Sequence, residues 1–473
     1  MKRIVIREHT PISPFGEPAR DLRILNKPLW LLQRDLLTHH CRGALEVDSL
    51  AEIPRDREEL LVHRDNLFFN DLLIDEFIAQ ARASGHACRI AFARDDRSIV
   101  THALRLQEGI RLDPQHNVYV ADLFYYPNGV SEEPRPLVID TGPREMGYYH
   151  IPSYMAPNQG DLVFQVPMRP FLSIENWVHV FLANSPFGVF SWGRIHEQRV
   201  EESWKEKLAV SLTTLGHKLN PFAPRWRNHF LASSRLVKVG KNCSIDPTAT
   251  IHGPTVIGNN VTIGAGVTIT NSLIGNNVNI MQGCQIMLSV VSDRCYLPFN
   301  AALFMTTLME NSMVAQLSCL QMCVVGRNTF IGAGNIFTDF DLVNRPIHTF
   351  HKRKGADAPT LEEVGLPVLG SAVGHNCKIG SGFVIYPARQ IGSNTTLIYA
   401  DEESVVARNV IHRSEGAEVE TDEAGEPLRT VYKWPRRYDP DAAGAGAPGT
   451  NAGSSFIEEP LHVSLPTSAR VRR

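Results

Sequence analysis

The chain has 473 residues, and its 47 lysines and arginines against 50 aspartates and glutamates give a formal net charge of −3. This balance argues against general electrostatic binding of nucleic acid, which requires a basic surface. Eight cysteines are scattered without a metal-ligand spacing, which favours a reducing compartment over a disulfide framework. Because we recognise no secretory leader and no apolar run of about 18 residues, we expect a cytoplasmic protein without a transmembrane segment.

The first part of the chain alternates strand and helix patterns, and we predict an α/β domain over residues 1–170. A helical pattern at 72–85 has Asn70 or Asp71 as its cap and Gly85 as its end. Strand, helix and strand in this order are typical of a parallel sheet. The predicted strands lie in three apolar runs, at 3–6, 59–69 and 87–92.

Residues 171–235 are predicted to form a helical connector. Its first helical pattern, "ENWVHVFLAN", contains Trp177, Val178, Val180 and Phe181. Such an apolar helix lies either on a membrane surface or between two packed domains. We favour packing between the domains.

In the region 236–412 aliphatic residues return at every sixth position, for example at Ile245, Ile251 and Ile257, and after Ile269 the count loses one residue and resumes at Ile274. A helix repeats near 3.6 residues and a strand near 2, whereas six residues are three strand periods. The spacing therefore predicts triangular coils of three short strands, with the aliphatic side chains pointing inward. A single coil buries little, so the coils must stack.

Three stretches depart from this pattern. Residues 292–324 carry larger side chains and form either irregular coils or an excursion. The polar and basic stretch 339–366 is predicted to leave the coils, and such loops often carry binding function. Residues 413–473, rich in Ala, Gly and Pro, are predicted to be a mostly disordered tail.

The six-residue pattern resembles the hexapeptide-repeat family with its left-handed parallel β-helix. "FGEPARDLRILNKPLW", "LLVHRDNLFFNDLLIDEFI" and, more weakly, "WVHVFLAN" resemble segments of sugar-1-phosphate nucleotidyltransferases that carry such a C-terminal domain. The resemblance is to the bifunctional N-acetylglucosamine-1-phosphate uridylyltransferase/glucosamine-1-phosphate acetyltransferase family. It implies an α/β nucleotidyltransferase-like domain followed by a left-handed β-helix, assembled as a homotrimer.

The resemblance also implies a reaction, in which a sugar 1-phosphate attacks the α-phosphorus of a nucleoside triphosphate and pyrophosphate leaves. Such chemistry needs cations around the phosphates and a carboxylate that holds Mg²⁺. By position in the family's motifs, Lys27 contacts phosphate and Asp65 holds the metal. Arg20 and Arg23 add positive charge, and Asp140 is a second carboxylate without an assigned role.

The coil "VVGRNTFIGAGNIFTDFDL" (324–342) resembles an acetyltransferase coil, which implies acyl transfer from an acyl-CoA. The family's catalytic histidine corresponds by position to Gln316, which cannot accept a proton at neutral pH. His375 falls on a repeat corner, where it is either an exposed turn residue or a substrate-binding residue. The downstream excursion brings two histidines together with three basic residues that suit nucleotide or coenzyme A phosphates, namely His348, His351, Lys352, Arg353 and Lys354.

These patterns leave two functions open. The first is a sugar-nucleotide-related transferase that binds a sugar phosphate or nucleotide sugar together with a nucleoside triphosphate. The second is a non-catalytic protein that binds a nucleotide sugar or scaffolds other proteins. The second is favoured by Gln316 and by the opening loop, where Gly16 is followed by Glu17 and Pro18 instead of further glycines.

Overall fold

The computed structural model describes residues 1–54, 57–130, 133–150, 161–205, 208, 236–343, 345–399, 405–406, 409–411, 417–425 and 427–434. It contains an N-terminal α/β part and a C-terminal solenoid of parallel strands. The α-helices are α1 (Leu29–Leu37), α2 (Asp71–Ser84), α3 (Trp177–Asn184) and α4 (Ser191–Glu202). Within these described residues, no helix is long and apolar enough to cross a membrane.

The N-terminal part is built on a seven-stranded sheet with the order β12-β9-β11-β7-β1-β6, and β10 pairs with β11. Its strands and the short ribbons around it are β1 (Lys2–Ile6), β2 (Pro11–Ile12), β3 (Glu17–Pro18), β4 (Arg23–Ile24), β5 (Lys27–Pro28), β6 (Ala44–Val47), β7 (Leu60–Arg64), β8 (Leu67–Phe69), β9 (Cys88–Ala93), β10 (Ile110–Asp113), β11 (Val118–Tyr126), β12 (Arg135–Val138), β13 (Arg144–His150), β14 (Asp161–Val166) and β15 (Phe171–Ser173).

The predicted helix and its ends are confirmed. The Asn70 side chain accepts a hydrogen bond from the backbone N–H of Leu73, and Gly85 ends α2 with a φ of 70°. The expectation of a purely parallel sheet is wrong. Strand β1 is parallel to β6 and β7, but β11 lies antiparallel between β7 and β9. A tight turn at 114–117 folds β11 back on β10 as a hairpin. The place of β11 between β7 and β9 depends on pairing with strands that are distant in the chain, which the order of the elements does not record.

The solenoid consists of three stacked parallel sheets, which fit a left-handed β-helix. Its strands and the hairpins attached to it are β16 (Val237–Val239), β17 (Ser244–Ile245), β18 (Thr250–His252), β19 (Thr255–Ile257), β20 (Thr262–Ile263), β21 (Thr268–Thr270), β22 (Leu273–Ile274), β23 (Asn279–Ile280), β24 (Gln285–Met287), β25 (Val290–Val291), β26 (Tyr296–Leu297), β27 (Ala302–Phe304), β28 (Thr307–Leu308), β29 (Met313–Val314), β30 (Cys319–Gln321), β31 (Val324–Val325), β32 (Phe330–Ile331), β33 (Ile336–Phe337), β34 (His348–His351), β35 (Thr360–Glu363), β36 (Ala372–Val373), β37 (Lys378–Ile379), β38 (Val384–Ile385), β39 (Gln390–Ile391), β40 (Thr395–Tyr399), β41 (Val405–Val406), β42 (Ala417–Thr421) and β43 (Pro427–Trp434).

The length of the coils explains where the six-residue spacing loses one residue. Ser244 pairs with Thr262, eighteen residues on, whereas Asn279 pairs with Tyr296, only seventeen residues on. The missing residue falls at the corner between the third and first sheets. Residues 292–324, whose path was open, are regular coils, paired strand by strand with their neighbours.

One side of the solenoid packs against the N-terminal part. The shortened corners carry Leu288, Met305 and Met322 at positive φ, and all three are buried in one hydrophobic cluster with Trp177 and Phe181 of α3. These large corner side chains therefore face another part of the protein instead of solvent. Every residue of α3 is buried, so this helix packs between the two parts, as we favoured from its sequence.

The prediction for the excursion at 339–366 is confirmed, whereas the prediction for the tail at 413–473 is wrong in part. The excursion does leave the coils, and its β34 and β35 form an antiparallel hairpin. The predicted disordered tail is wrong over 417–421 and 427–434, where β42 and β43 extend the second sheet. Strand β43 pairs in parallel with β40, and this ladder satisfies backbone groups that composition alone does not predict. Residues 435–473 of the tail and 209–235 of the connector lie outside the described residues.

Candidate functional site

The carboxyl ends of three parallel strands, β1, β6 and β7, meet at one edge of the N-terminal sheet. Arg7 and Glu8 follow β1, and Asp65 follows β7. Ligands of open α/β sheets bind outside the carboxyl ends of the strands, because side chains and loops from several strands converge there. We call the charged side chains gathered at this edge the strand-end cluster, namely Arg7, Glu8, Arg20, Glu46, Arg64, Asp65, Arg89, Arg111 and Asp122.

Asp65 is the buried centre of the strand-end cluster, since only 1% of its surface is exposed. Its Oδ1 accepts a hydrogen bond from the backbone N–H of Glu8 at 2.9 Å, and its Oδ2 lies 3.2 Å from Nη1 of Arg20. Burial raises the pKa of Asp65 to about 6, although the Glu8 N–H and Arg20 act in the opposite direction. The structure therefore brings together two of the predicted site residues, Asp65 and Arg20.

Arg20 joins Asp65 to the end of β6. Its guanidinium Nη2 lies 3.0 Å from Oε1 of Glu46, and this hydrogen bond is the largest contribution that raises the pKa of Arg20. Arg7 reaches the same Glu46 carboxylate at 3.6 Å. With Asp21, which lies 4.0 Å from Nε of Arg20, this half of the strand-end cluster holds two cations and three carboxylates, so its formal charges balance when Asp65 is protonated.

The other half of the strand-end cluster is centred on Asp122 of β11. Arg64 and Arg89 each approach its carboxylate at 2.6 Å, and Arg111 approaches it at 3.2 Å. Burial raises the pKa of Asp122, but the three guanidinium groups outweigh burial and hold it below its usual value. Sequence reasoning missed this carboxylate and its arginines, because no local motif marks residues that lie on four different strands.

Glu8 connects the two halves of the strand-end cluster with the solenoid. Its carboxylate accepts a hydrogen bond from Thr10 at 2.8 Å, lies 3.5 Å from Nη1 of Arg64 and forms an ion pair with Lys354. Lys354 belongs to the excursion between β34 and β35. Its basic run was noted in the sequence, but its contact with the N-terminal sheet could not be predicted.

Three other predicted residues do not join Asp65. The Lys27 ammonium lies 2.7 Å from Asp35 on α1, and both side chains are largely exposed. Arg23 binds a solenoid carboxylate, Glu310, at 3.0 Å. Asp140 is exposed and accepts a hydrogen bond from the backbone N–H of Gly142.

The opening loop is fixed by the solenoid. Glu17 is held by two side chains, Arg327 through both guanidinium Nη atoms and His375 at 3.2 Å from Nε2. Nδ1 of His375 accepts the backbone N–H of Arg327, so its Nε2 carries the proton, although this N–H makes no hydrogen bond of regular geometry within the described residues. Burial raises the pKa of Glu17, but His375 and Arg327 lower it further than burial raises it. The corner histidine and the loop glutamate thus join the two parts of the protein.

The remaining candidates lie on the solenoid side. Arg353 pairs with Glu362 across the β34–β35 hairpin, whereas Lys352 is exposed. His348 approaches only the carbonyl of Pro346 through Nδ1, and Gln316 is exposed at its corner. In the described part of the chain, no three His, Cys, Asp or Glu side chains cluster as a metal site.

The donor set at Asp65 does not match a ready Mg²⁺ site. Both carboxylate oxygens already accept hydrogen bonds, from Glu8 and from Arg20. Mg²⁺ prefers octahedral oxygen ligands, and here the guanidinium stands where a second oxygen ligand would be needed. We therefore derive no step through a metal, and Mg²⁺ at Asp65 stays a prediction.

Comparison with known proteins concerns the solenoid. Residues 237–271 match the model of the family described as Bacterial transferase hexapeptide (six repeats). The chain contains a hexapeptide-repeat transferase domain. A hexapeptide-repeat domain of this kind supports a transferase role at a coarse level. A search of curated proteins found no match to the chain.

Proposed function

We propose that this hexapeptide-repeat protein is a sugar-nucleotide-related transferase whose N-terminal part binds a phosphorylated substrate at the strand-end cluster. The observation that carries the proposal is Asp65, which is buried directly after β7 and lies 3.2 Å from Arg20. A buried carboxylate with a raised pKa that lies beside a specific charged partner is a candidate for a functional group. The nucleotidyltransferase family that the sequence resembles places its metal-binding aspartate at this position.

In this proposal the chain's own residues bind and orient the phosphates. Arg20 and Arg64 present planar guanidinium groups that suit phosphate oxygens. Asp65 holds Arg20 in place, and its raised pKa leaves it partly protonated near neutral pH. Mg²⁺, where it is bound with the substrate, would neutralise charge on the triphosphate. The sugar 1-phosphate then attacks the α-phosphorus, and pyrophosphate leaves.

The solenoid has a separate part in the proposal. Hexapeptide-repeat transferases are often trimeric, and we propose that this chain forms a homotrimer through its solenoid. Acyl transfer from an acyl-CoA there would need a base other than Gln316, which is exposed and cannot accept a proton at neutral pH. His375 is not free for this role, since it lies between Glu17 and Arg327.

The experiment is pyrophosphate release from the full-length protein with Mg²⁺, four nucleoside triphosphates and a panel of sugar 1-phosphates. We expect release with one pair, and a loss of roughly 100-fold in kcat in Asp65→Asn. Asp71→Asn, an exposed carboxylate on α2, is the matched control and should keep full activity. Equal turnover in both variants would contradict the assignment of Asp65.

A second candidate, a non-catalytic nucleotide-sugar-binding protein, has an observation of its own. The lysine that should contact phosphate, Lys27, is paired with Asp35, and the opening loop is tied to the solenoid through Glu17. Both contacts suit a site that binds without turnover. A melting temperature that rises with a nucleotide sugar, in a protein that releases no pyrophosphate with any substrate pair, would favour this candidate.

A further inference from the structure

The strand-end cluster has an excess of positive charge in its second half. Four cations, Arg64, Arg89, Arg111 and Lys354, lie around the carboxylates of Glu8 and Asp122, and Asp113 is a third carboxylate that acts on Arg89. The chain as a whole has a formal net charge of −3, so this local excess is not a general property of its surface. An anionic ligand would balance it.

The solenoid supplies one of these cations. Lys354 lies 346 positions after Glu8 in the sequence, yet the two side chains form an ion pair. The Lys354 side chain is 42% exposed, whereas Glu8 is 14% exposed. An ammonium group has three donors, and Glu8 accepts only one hydrogen bond from it. The remaining donors of Lys354 are available to a ligand at the edge of the sheet.

The hairpin that carries Lys354 is fixed in place by the N-terminal part. The indole Nε1 of Trp177 donates to Oγ1 of Thr349 at 3.0 Å, and the Asn176 amide donates to the carbonyl of Phe350 at 3.1 Å. Directly before the lysine, Arg353 lies 3.7 Å from Glu108. These contacts hold the turn after β34 against the sheet, so the position of Lys354 is defined by packing and not only by its own ion pair.

We propose that the β34–β35 hairpin completes the phosphate site of the N-terminal part, with Lys354 binding a phosphate group of the substrate beside Arg64. This inference rests on the proposed function and deepens it, because both the N-terminal sheet and the solenoid then contribute residues to the site. It also gives the site a lysine in place of Lys27, whose ammonium lies at Asp35 on α1 and does not join the strand-end cluster. The ligand class is a diphosphate or triphosphate, whose charge exceeds what Arg20 alone can match.

The test is binding of inorganic pyrophosphate to the full-length protein, measured by titration calorimetry. We expect Lys354→Ala to weaken binding roughly tenfold, because it removes one charge-assisted hydrogen bond. Lys354→Arg should restore most of the affinity. Lys241→Ala, a change of an exposed lysine at a corner of the solenoid, is the matched control and should bind like the unchanged protein.

The outcomes separate the two proposals. If Arg20→Ala weakens binding and Lys354→Ala does not, the hairpin has no part in the site, although the proposed function stands. If neither variant alters the affinity, or the unchanged protein binds no pyrophosphate, both proposals fail. Lys354→Ala should melt at the same temperature as Lys241→Ala, and Lys354→Arg should restore binding, which a merely shifted hairpin would not explain.

Discussion

The solenoid and the strand-end cluster are organised in opposite ways. In the solenoid the same structural role recurs in each coil, as when Leu303, Leu320 and Phe337 point into the shaft from successive strands of one sheet. In the strand-end cluster each residue has a single role, and its partners come from distant parts of the chain. Glu8 and Lys354, for example, are 346 positions apart. Because its pattern repeats, the solenoid can be predicted from the sequence, whereas the residues of the strand-end cluster come together only after folding.

The largest effect is expected in the shaft of the solenoid. Phe337 is fully buried between the coils, so Phe337→Ala should lower the free energy of unfolding by about 3–5 kcal/mol. The neighbouring Ile336 is 44% exposed and points outward, so Ile336→Ala should cost less than about 1 kcal/mol. Urea denaturation of both variants checks the difference. Similar losses would mean that the alternation of inward and outward residues is not what stabilises the coil.

A pH-dependent effect is expected at the strand-end cluster. The pKa of Asp65 rises from 3.8 to about 6 on folding, so the folded state binds the proton more tightly than the unfolded state. The resulting stabilisation is present below pH 3.8 and is lost as the pH rises through about 6. The free energy of unfolding of Asp65→Asn, relative to that of the unchanged protein, should therefore rise by up to about 3 kcal/mol between pH 4 and pH 7.

Urea unfolding of Asp65→Asn and the unchanged protein at several pH values between 4 and 8 measures this gain. Parallel stability curves across that range would show that burial does not oppose ionisation of Asp65. A stabilised variant that has lost pyrophosphate release would show instead that the protein keeps a costly carboxylate for its function.

A smaller effect is expected where the two regions meet. Arg327→Ala leaves Glu17 and Glu310 without their shared cation. We expect the free energy of unfolding to fall by about 2 kcal/mol, since the ion pair of Arg327 and Glu17 is only partly buried. A double-mutant cycle with Glu17→Gln isolates the coupling between Arg327 and Glu17. Arg294→Ala, at an exposed corner of the same solenoid, should change stability by less than about 0.5 kcal/mol. Additive losses in the cycle would argue that this ion pair does not join the two parts.

The predictability of each feature follows from the range of its interactions. The ends of α2 depend on Asn70 and Gly85, which act on the backbone within three residues, so sequence reasoning placed them correctly. The direction of β11 depends on its pairing with two other strands, and there the parallel expectation failed. The large side chains at Met305 and Met322 looked like an interruption of the repeat, because their packing partner α3 is more than a hundred residues away.

The sequence by itself determined the coils, because a side chain that recurs every sixth residue has one consistent way to be buried. It also placed Asp65 and Arg20 in segments that resemble a nucleotidyltransferase. Only the tertiary structure decided which charged side chains form ion pairs. These pairs are Arg20 with Asp65, Lys27 with Asp35, and Lys354 of the solenoid with Glu8. The physical reason is that an ion pair depends on distance in space, and distance in space is set by packing that no local pattern records.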